Sequence, residues 1–229
     1  MPRTLFDRDL QALQNQILQL GSEVEENLIT AVTTLQQFDA RTARMLIHAD
    51  EDINAARIKI GLDALTLIAT QQPFAGDMRR IAAIIEIVGE LERIHDYVKG
   101  IAKISLMLQE TPINPALLRD FSPMAEKSRE MLHNSLTAFA ERDAALARQI
   151  PPEDDVVDEL YNQIYLQLLQ AIMQKPEMVE QVNTLSWALH NLERAADRVI
   201  NICEWVVYMV EGVYREMDSE LEAPPFVGR

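Results

Sequence analysis

From Leu10 to Leu35 the apolar residues fall at Leu10, Leu13, Ile17, Leu20, Val24, Leu28, Ala31 and Leu35. The steps are threes and fours without interruption, which is one face of a long helix and cannot be satisfied by a strand. A helix of that length with a single apolar face needs partners of its own kind. The same pattern recurs after Phe38-Asp39, at Leu46, Ala49, Ile53, Ala56, Ile60, Ala64 and Leu67, and after Pro73, at Ile84, Val88, Leu91, His95, Val98 and Ala102. Each face reads as a narrow seam with polar flanks, as in the helices of a bundle.

The second half repeats the plan. A helix is expected from about Asn114 to Glu141, with Phe121, Met124, Met131 and Ala138 inward. Another follows Pro151-Pro152 with Val157, Leu160, Ile164, Leu168 and Ala171. The last follows Pro176 with Val182, Leu185, Leu189, Leu192, Ala196, Val199, Cys203 and Val206. Proline at a helix start costs nothing, since the first N–H groups have no partner there. No alternating strand pattern or hairpin signal occurs. The expected fold is therefore all-α: six long helices in two tandem, pseudo-symmetric three-helix bundles. The natural boundary is the Pro-rich stretch around Pro112 and Pro115, giving repeats 1–111 and 112–229.

Composition narrows function by exclusion. Net charge is −15, from 21 Lys+Arg against 36 Asp+Glu. Affinity for nucleic acid is built largely on phosphate neutralisation, so a nucleic-acid partner is not expected. Such a surface favours cations or basic partners. Cys203 is the only cysteine, so no internal disulfide can form. Apolar runs are far shorter than the ~18 residues a membrane span needs. The opening MPRTLFDRDLQ has no apolar core of a secretory signal. The expectation is a cytoplasmic protein without an integral membrane segment.

The informative feature is a repeated set of carboxylates. Leu91-Glu-Arg-Ile-His-Asp96-Tyr-Val-Lys-Gly-Ile101 aligns with Leu192-Glu-Arg-Ala-Ala-Asp197-Arg-Val-Ile-Asn-Ile202 at an offset of 101, and Asp50-Glu-Asp-Ile-Asn54 aligns with Asp154-Asp-Val-Val-Asp158 at 104. Residues four apart stack on one helix face, so Glu92 with Asp96 and Glu193 with Asp197 are like-charged neighbours that cost free energy. One such pair among 36 acids would be an ordinary solvated face. Two at matched places, each preceded by a matching pair on the previous helix, are not. If consecutive helices run antiparallel, Asp50, Asn54, Glu92 and Asp96 gather in one groove, and Asp154, Asp158, Glu193 and Asp197 in a second. Oxygen donors of this kind suit hard cations: Mg²⁺, Mn²⁺, Ca²⁺ or iron. With four carboxylates against three, the second site should hold divalent ions more tightly. No Cys/His tetrad for a structural zinc site is present.

These motifs, and the ending Asn201-Ile-Cys-Glu-Trp-Val-Val-Tyr-Met-Val-Glu-Gly212, resemble the PhoU family of phosphate-signalling regulators along nearly the whole chain. The resemblance implies two pseudo-symmetric three-helix bundles and a homodimer. It implies metal ions, iron or zinc in multinuclear clusters, on the acidic motifs. It also implies a non-catalytic negative regulator that links the ATPase of the phosphate ABC transporter to the sensor histidine kinase of the phosphate-starvation response. Such a protein would associate peripherally with inner-membrane complexes. The family commonly has Gly before the motif Asp; here His95 and Ala196 stand there, and Asn54 is a neutral donor where the second repeat has Asp158.

A rival from the enzyme class rests on Glu92-Arg-Ile-His95 and Glu130-Met-Leu-His133, since di-iron carboxylate oxidases use two Glu-x-x-His pairs in a bundle. Ala196 in place of His95 speaks against it. His95 itself reads as a core histidine, Cys203 as an inert buried thiol, the ten Met as core filler and Arg79-Arg80 as a solvated face.

Overall fold

The computed structural model describes residues 2–109 and 113–217. The expected boundary between residues 111 and 112 lies outside the described residues. Six long helices carry the fold: α1 (Pro2–Gln37), α2 (Ala40–Gln71), α3 (Ala75–Met107), α4 (Phe121–Glu141), α6 (Asp154–Gln174) and α7 (Val179–Glu211). A one-turn helix, α5 (Ala144–Ala147), lies between α4 and α6. Short 3₁₀ turns over Pro115–Leu118, Pro151–Glu153 and Pro176–Met178 sit where the prolines stand. The helix expected from Asn114 thus starts later, at Phe121. Asn114 instead caps the 3₁₀ turn, accepting from Ala116 N at 3.0 Å. Asp39 starts α2 by accepting from Arg41 N at 2.9 Å and Thr42 N at 3.2 Å, as an N-cap should.

Helices α1, α2 and α3 pack as one bundle, and α4, α6 and α7 as a second. The α1 seam is buried at every expected position from Leu10 to Leu35. In α2 the seam runs through Ala43, Leu46, Asp50, Ile53, Ile60, Ala64 and Leu67, whereas Ala49 and Ala56 are half-buried. The three-four stepping is kept, with a carboxylate at one of its places.

Two helices depart from the narrow-seam expectation. Helices α3 and α7 are buried on two sides, because they form the most extensive contact in the molecule with each other. The second buried faces are Ala83, Ile87, Glu90, Ile94 and Ile101 on α3, and Ala188, Ala195, Ile202 and Met209 on α7. The crossing is antiparallel: Asn201 Nδ2 donates to Glu90 Oε2 at 3.3 Å, while Gly100 lies against the Asn191 amide. Under the offset of 101 these two contacts are the same contact seen from either half. A Cβ on Gly100 would stand 2.5 Å from Asn191 Nδ2, so glycine permits the close approach. Helices α1 and α4 make the second junction between halves. Helices α2 and α6 form the outer flanks. They leave Ile58, Leu62 and Leu65, and Leu166, Leu169 and Met173, exposed.

The methionines are only partly core filler. Met124, Met131 and Met209 are buried, but Met45, Met107 and Met173 are exposed. Arg79 is not on a solvated face either: it is half-buried, its guanidinium packed against Gly212 at the end of α7.

Candidate functional site

The acidic motif of the first half lies where α2 meets α3. Asp50 sits in the α2 seam with 4% of its surface exposed, and His95 of α3 is fully buried beside it. His95 Nδ1 is 3.4 Å from Asp50 Oδ1. On the other side of the ring, Asn27 Nδ2 of α1 lies 3.2 Å from His95 Nε2. An amide nitrogen can only donate, so Nε2 accepts and the proton rides on Nδ1, facing Asp50. Burial lowers the His95 pKa against the pull of Asp50, and the ring is neutral at pH 7. Asp50 Oδ2 accepts from Lys99 Nζ, in a salt bridge, and from Asn54 Nδ2 at 3.2 Å. Burial pushes the Asp50 carboxyl up, but the hydrogen bonds from Lys99 and His95 outweigh it and hold the group below its ordinary value. Lys99 Nζ also stands 3.9 Å from Asp96 Oδ1. Glu92 is raised by burial and by Asp96, with Arg57 Nε 4.0 Å away opposing. Every oxygen of Asp50 is thus matched by a donor of the protein.

The second half has the same backbone plan and a different charge balance. Asp154 opens α6 and Asp158 follows one turn on; Glu193 and Asp197 come from α7. Burial, then Asp197, Asp158 and Glu193, push the Asp154 carboxyl up to about 7. Burial and Asp197 push Glu193 up to about 7 as well. Asp158 is raised by burial and by Asp155. Asp197 accepts from Arg194 Nη1 at 2.9 Å. Asp154 Oδ1 and Glu193 Oε2 are buried and accept no hydrogen bond; His190 Nδ1 is 3.3 Å from the latter without bonding geometry. Buried carboxylate oxygens without donors are costly unless the group is protonated or meets a cation.

Set against each other, the halves differ at three places that bear on this charge, besides Asn54 against Asp158. Arg57, His95 and Lys99 correspond, at the same offsets, to Tyr161, Ala196 and Ile200. Lys99 and Arg57 bring no oxygen and so stand outside the carboxylate pattern, although the offset of 101 sets Lys99 opposite Ile200. Among the described residues, no three His, Cys, Asp or Glu side chains meet as a ready-made metal site. The donor set that fits a cation is Asp154, Asp158, Glu193 and Asp197, by its donorless oxygens and its excess of negative charge. The set of Asp50, Asn54, Glu92 and Asp96 is already supplied with an ammonium.

The two Glu-x-x-His pairs of the rival reading do not share a site. His133 is largely exposed, with Nδ1 3.3 Å from Glu25 of α1, while His95 is enclosed by Asn27 and Asp50. Cys203 is buried within α7, and burial raises its thiol far above the usual range.

The PhoU domain matches residues 17–105 and again 121–206, one match on each bundle. The chain belongs to the PhoU family. It is 34% identical over 207 residues to the phosphate-specific transport system accessory protein PhoU of Edwardsiella tarda, covering 90% of this chain and 85% of that one. It is 32% identical, over the same length, to the protein of that name from Escherichia coli, covering 90% and 86%. Among solved structures, PhoU from Pseudomonas aeruginosa superposes with a TM-score of 0.82 at 31% identity, covering 91% of this chain and all of that one. The phosphate transport system regulatory protein PhoU from Streptococcus pneumoniae gives 0.84 at 30%, covering 93% of this chain. The two-bundle arrangement is thus a PhoU fold in both halves. No helix among the described residues is long and apolar enough to cross a membrane.

Proposed function

We propose that this PhoU-family chain is a non-catalytic accessory protein of phosphate uptake, acting as a negative regulator between the phosphate transporter's ATPase and a phosphate-sensing histidine kinase. The observation that carries this is the match of both bundles, over nine-tenths of the chain, to proteins named as accessories of phosphate-specific transport. A homodimer working in the cytoplasm, against the inner face of the transporter, completes the reading.

The acidic motif of the second half supports a cation-binding role. Asp154, Asp158, Glu193 and Asp197 would hold the ion, iron or zinc by family resemblance, or Mg²⁺ or Mn²⁺ by their oxygen donors. The ion supplies positive charge. The chain's own part is to hold four carboxylates together at the α6–α7 groove, at a cost in stability while no cation is bound. Binding then ties α6 to α7, and stability rises with cation concentration by mass action. An oxidase would need its two Glu-x-x-His pairs at one site, and they have separate surroundings.

Deleting the gene should derepress phosphate-starvation genes in phosphate-rich medium, read with an alkaline phosphatase reporter. A reporter that stays repressed in the deletion strain refutes the regulatory role. Co-purification of the transporter ATPase and the kinase with the tagged full chain checks the partners.

A further inference from the structure

We propose that the first acidic motif takes no metal ion in this chain, because the Lys99 ammonium is built in as its cation, leaving the second motif as the cation site of each chain. This rests on reading the repeated carboxylates as cation sites, and it separates the two halves that the sequence treats as copies.

The geometry carries it. A metal ion at the first motif would have to take Asp50 as a ligand, since Asp50 is the one carboxylate that α2 contributes there. Both its oxygens are committed, Oδ1 beside His95 Nδ1 at 3.4 Å and Oδ2 to Lys99 Nζ and Asn54 Nδ2. Lys99 lies between Asp50 and Asp96, on the path that an ion bridging α2 to α3 would take. Arg57 adds a second positive charge beside Glu92 at 4.0 Å. Three carboxylates therefore face two cations of the protein. The His95 ring fills the space next to Asp50 and is itself held by Asn27 at 3.2 Å. In the second half these places belong to Tyr161, Ala196 and Ile200. None of those side chains carries positive charge; Arg194, 2.9 Å from Asp197, faces four carboxylates, and Asp154 Oδ1 and Glu193 Oε2 are buried without a donor. A compact ammonium is a point charge that can stand in for a bound cation. Unlike an ion it is not lost to a chelator.

The test uses the full chain, equilibrated with Mn²⁺ or Fe³⁺, desalted and analysed for metal. Glu92→Gln with Asp96→Asn should leave metal content unchanged, and Glu193→Gln with Asp197→Asn should remove it. On the latter background, Lys99→Met should create cation binding, tighter by about tenfold or more than with Lys99 present, and Asp50→Asn should abolish the gain. Lys99→Gln, which keeps a donor to Asp50 without the charge, repeats the gain if Lys99→Met proves unfolded by circular dichroism. Loss of metal in the Glu92/Asp96 variant overturns the proposal, as does the absence of any gain in folded Lys99 variants. If the parent binds no cation, the reading of the second motif fails. The Lys99 variants still decide this proposal, by gaining a site or not.

Discussion

Neutralising Asp154 should stabilise the metal-free protein at alkaline pH, against the usual expectation for removing a polar group. The folded chain lifts this carboxyl from its ordinary 3.8 to about 7, by burial and by Asp197, Asp158 and Glu193. Between those two values the folded state binds more protons than the unfolded state. Stability is therefore fully present at the acid end and is lost as pH rises through about 7. The gross effect of such a rise is about 4 kcal/mol, at 1.36 kcal/mol per tenfold change in proton affinity. Two things reduce it. Glu193 titrates in the same range and shares the repulsion, and Asp154 lies in the first turn of α6, where the helix end favours an anion by several tenths of a kcal/mol. We expect Asp154→Asn to stabilise the apo protein by about 2 kcal/mol at pH 8, which raises Tm by roughly 4–8 °C in a chain of this size. At pH 5 the gain should shrink to well under half, and it should disappear only below about pH 4, where the unfolded carboxyl is protonated as well. Saturating cation should reverse the order, the parent gaining stability that the variant cannot. The assay is thermal unfolding by circular dichroism, with chelator or added Mn²⁺, at both pH values. A variant that melts no higher than the parent at pH 8 in chelator, or that keeps the same advantage at pH 5, refutes the argument.

Ile164 is fully buried at the centre of α6, so Ile164→Ala should cost about 2–5 kcal/mol, read by urea unfolding; a loss under about 1 kcal/mol would mean that α6 packs loosely. The Cys203 thiol is enclosed in α7 and should react with Ellman's reagent at pH 8 only after denaturant is added, so rapid labelling of the native chain would contradict its placement. Sedimentation equilibrium at micromolar concentration should give twice the 26.1 kDa chain mass, and a monomer with and without cation would remove the dimer from the proposed function.

The apolar stepping made the helices legible because a bundle helix repeats every three or four residues whatever its neighbours are. It could not show which helices would be buried twice. Ile87, Ile94 and Ile101 each stand one residue before the seam positions Val88, His95 and Ala102, and only the packing of α7 gives them a partner. Asp50 marks the other limit. Apolar stepping points to Ala49 there, although the spacing from Leu46 to Ile53 suits either position. The eight motif residues were visible because carboxylates recur at two offsets. What cancels the charge in one half was not, since Arg57 meets Glu92, and Lys99 meets Asp50, only once α2 and α3 pack.

The antiparallel crossing of α3 and α7 has a consequence for chain specificity. A surface that pairs with its own duplicate is close to one that pairs with itself, so the α3 face of a lone half could join a second copy around a two-fold axis. The crossing positions oppose that exchange. In the intact chain Glu90 is held by Asn201, by Arg93 and, at 3.7 Å, by Arg198. In a pair of first halves it would meet Gly100 and Tyr97 instead, so a buried carboxylate would lose a donor and a cation from across the crossing. Two second halves would set Asn191 against Asn201, where the native partner Gly100 leaves room for the Asn191 amide. Each half therefore fits the other better than it fits itself, which favours closure within one polypeptide over exchange between two.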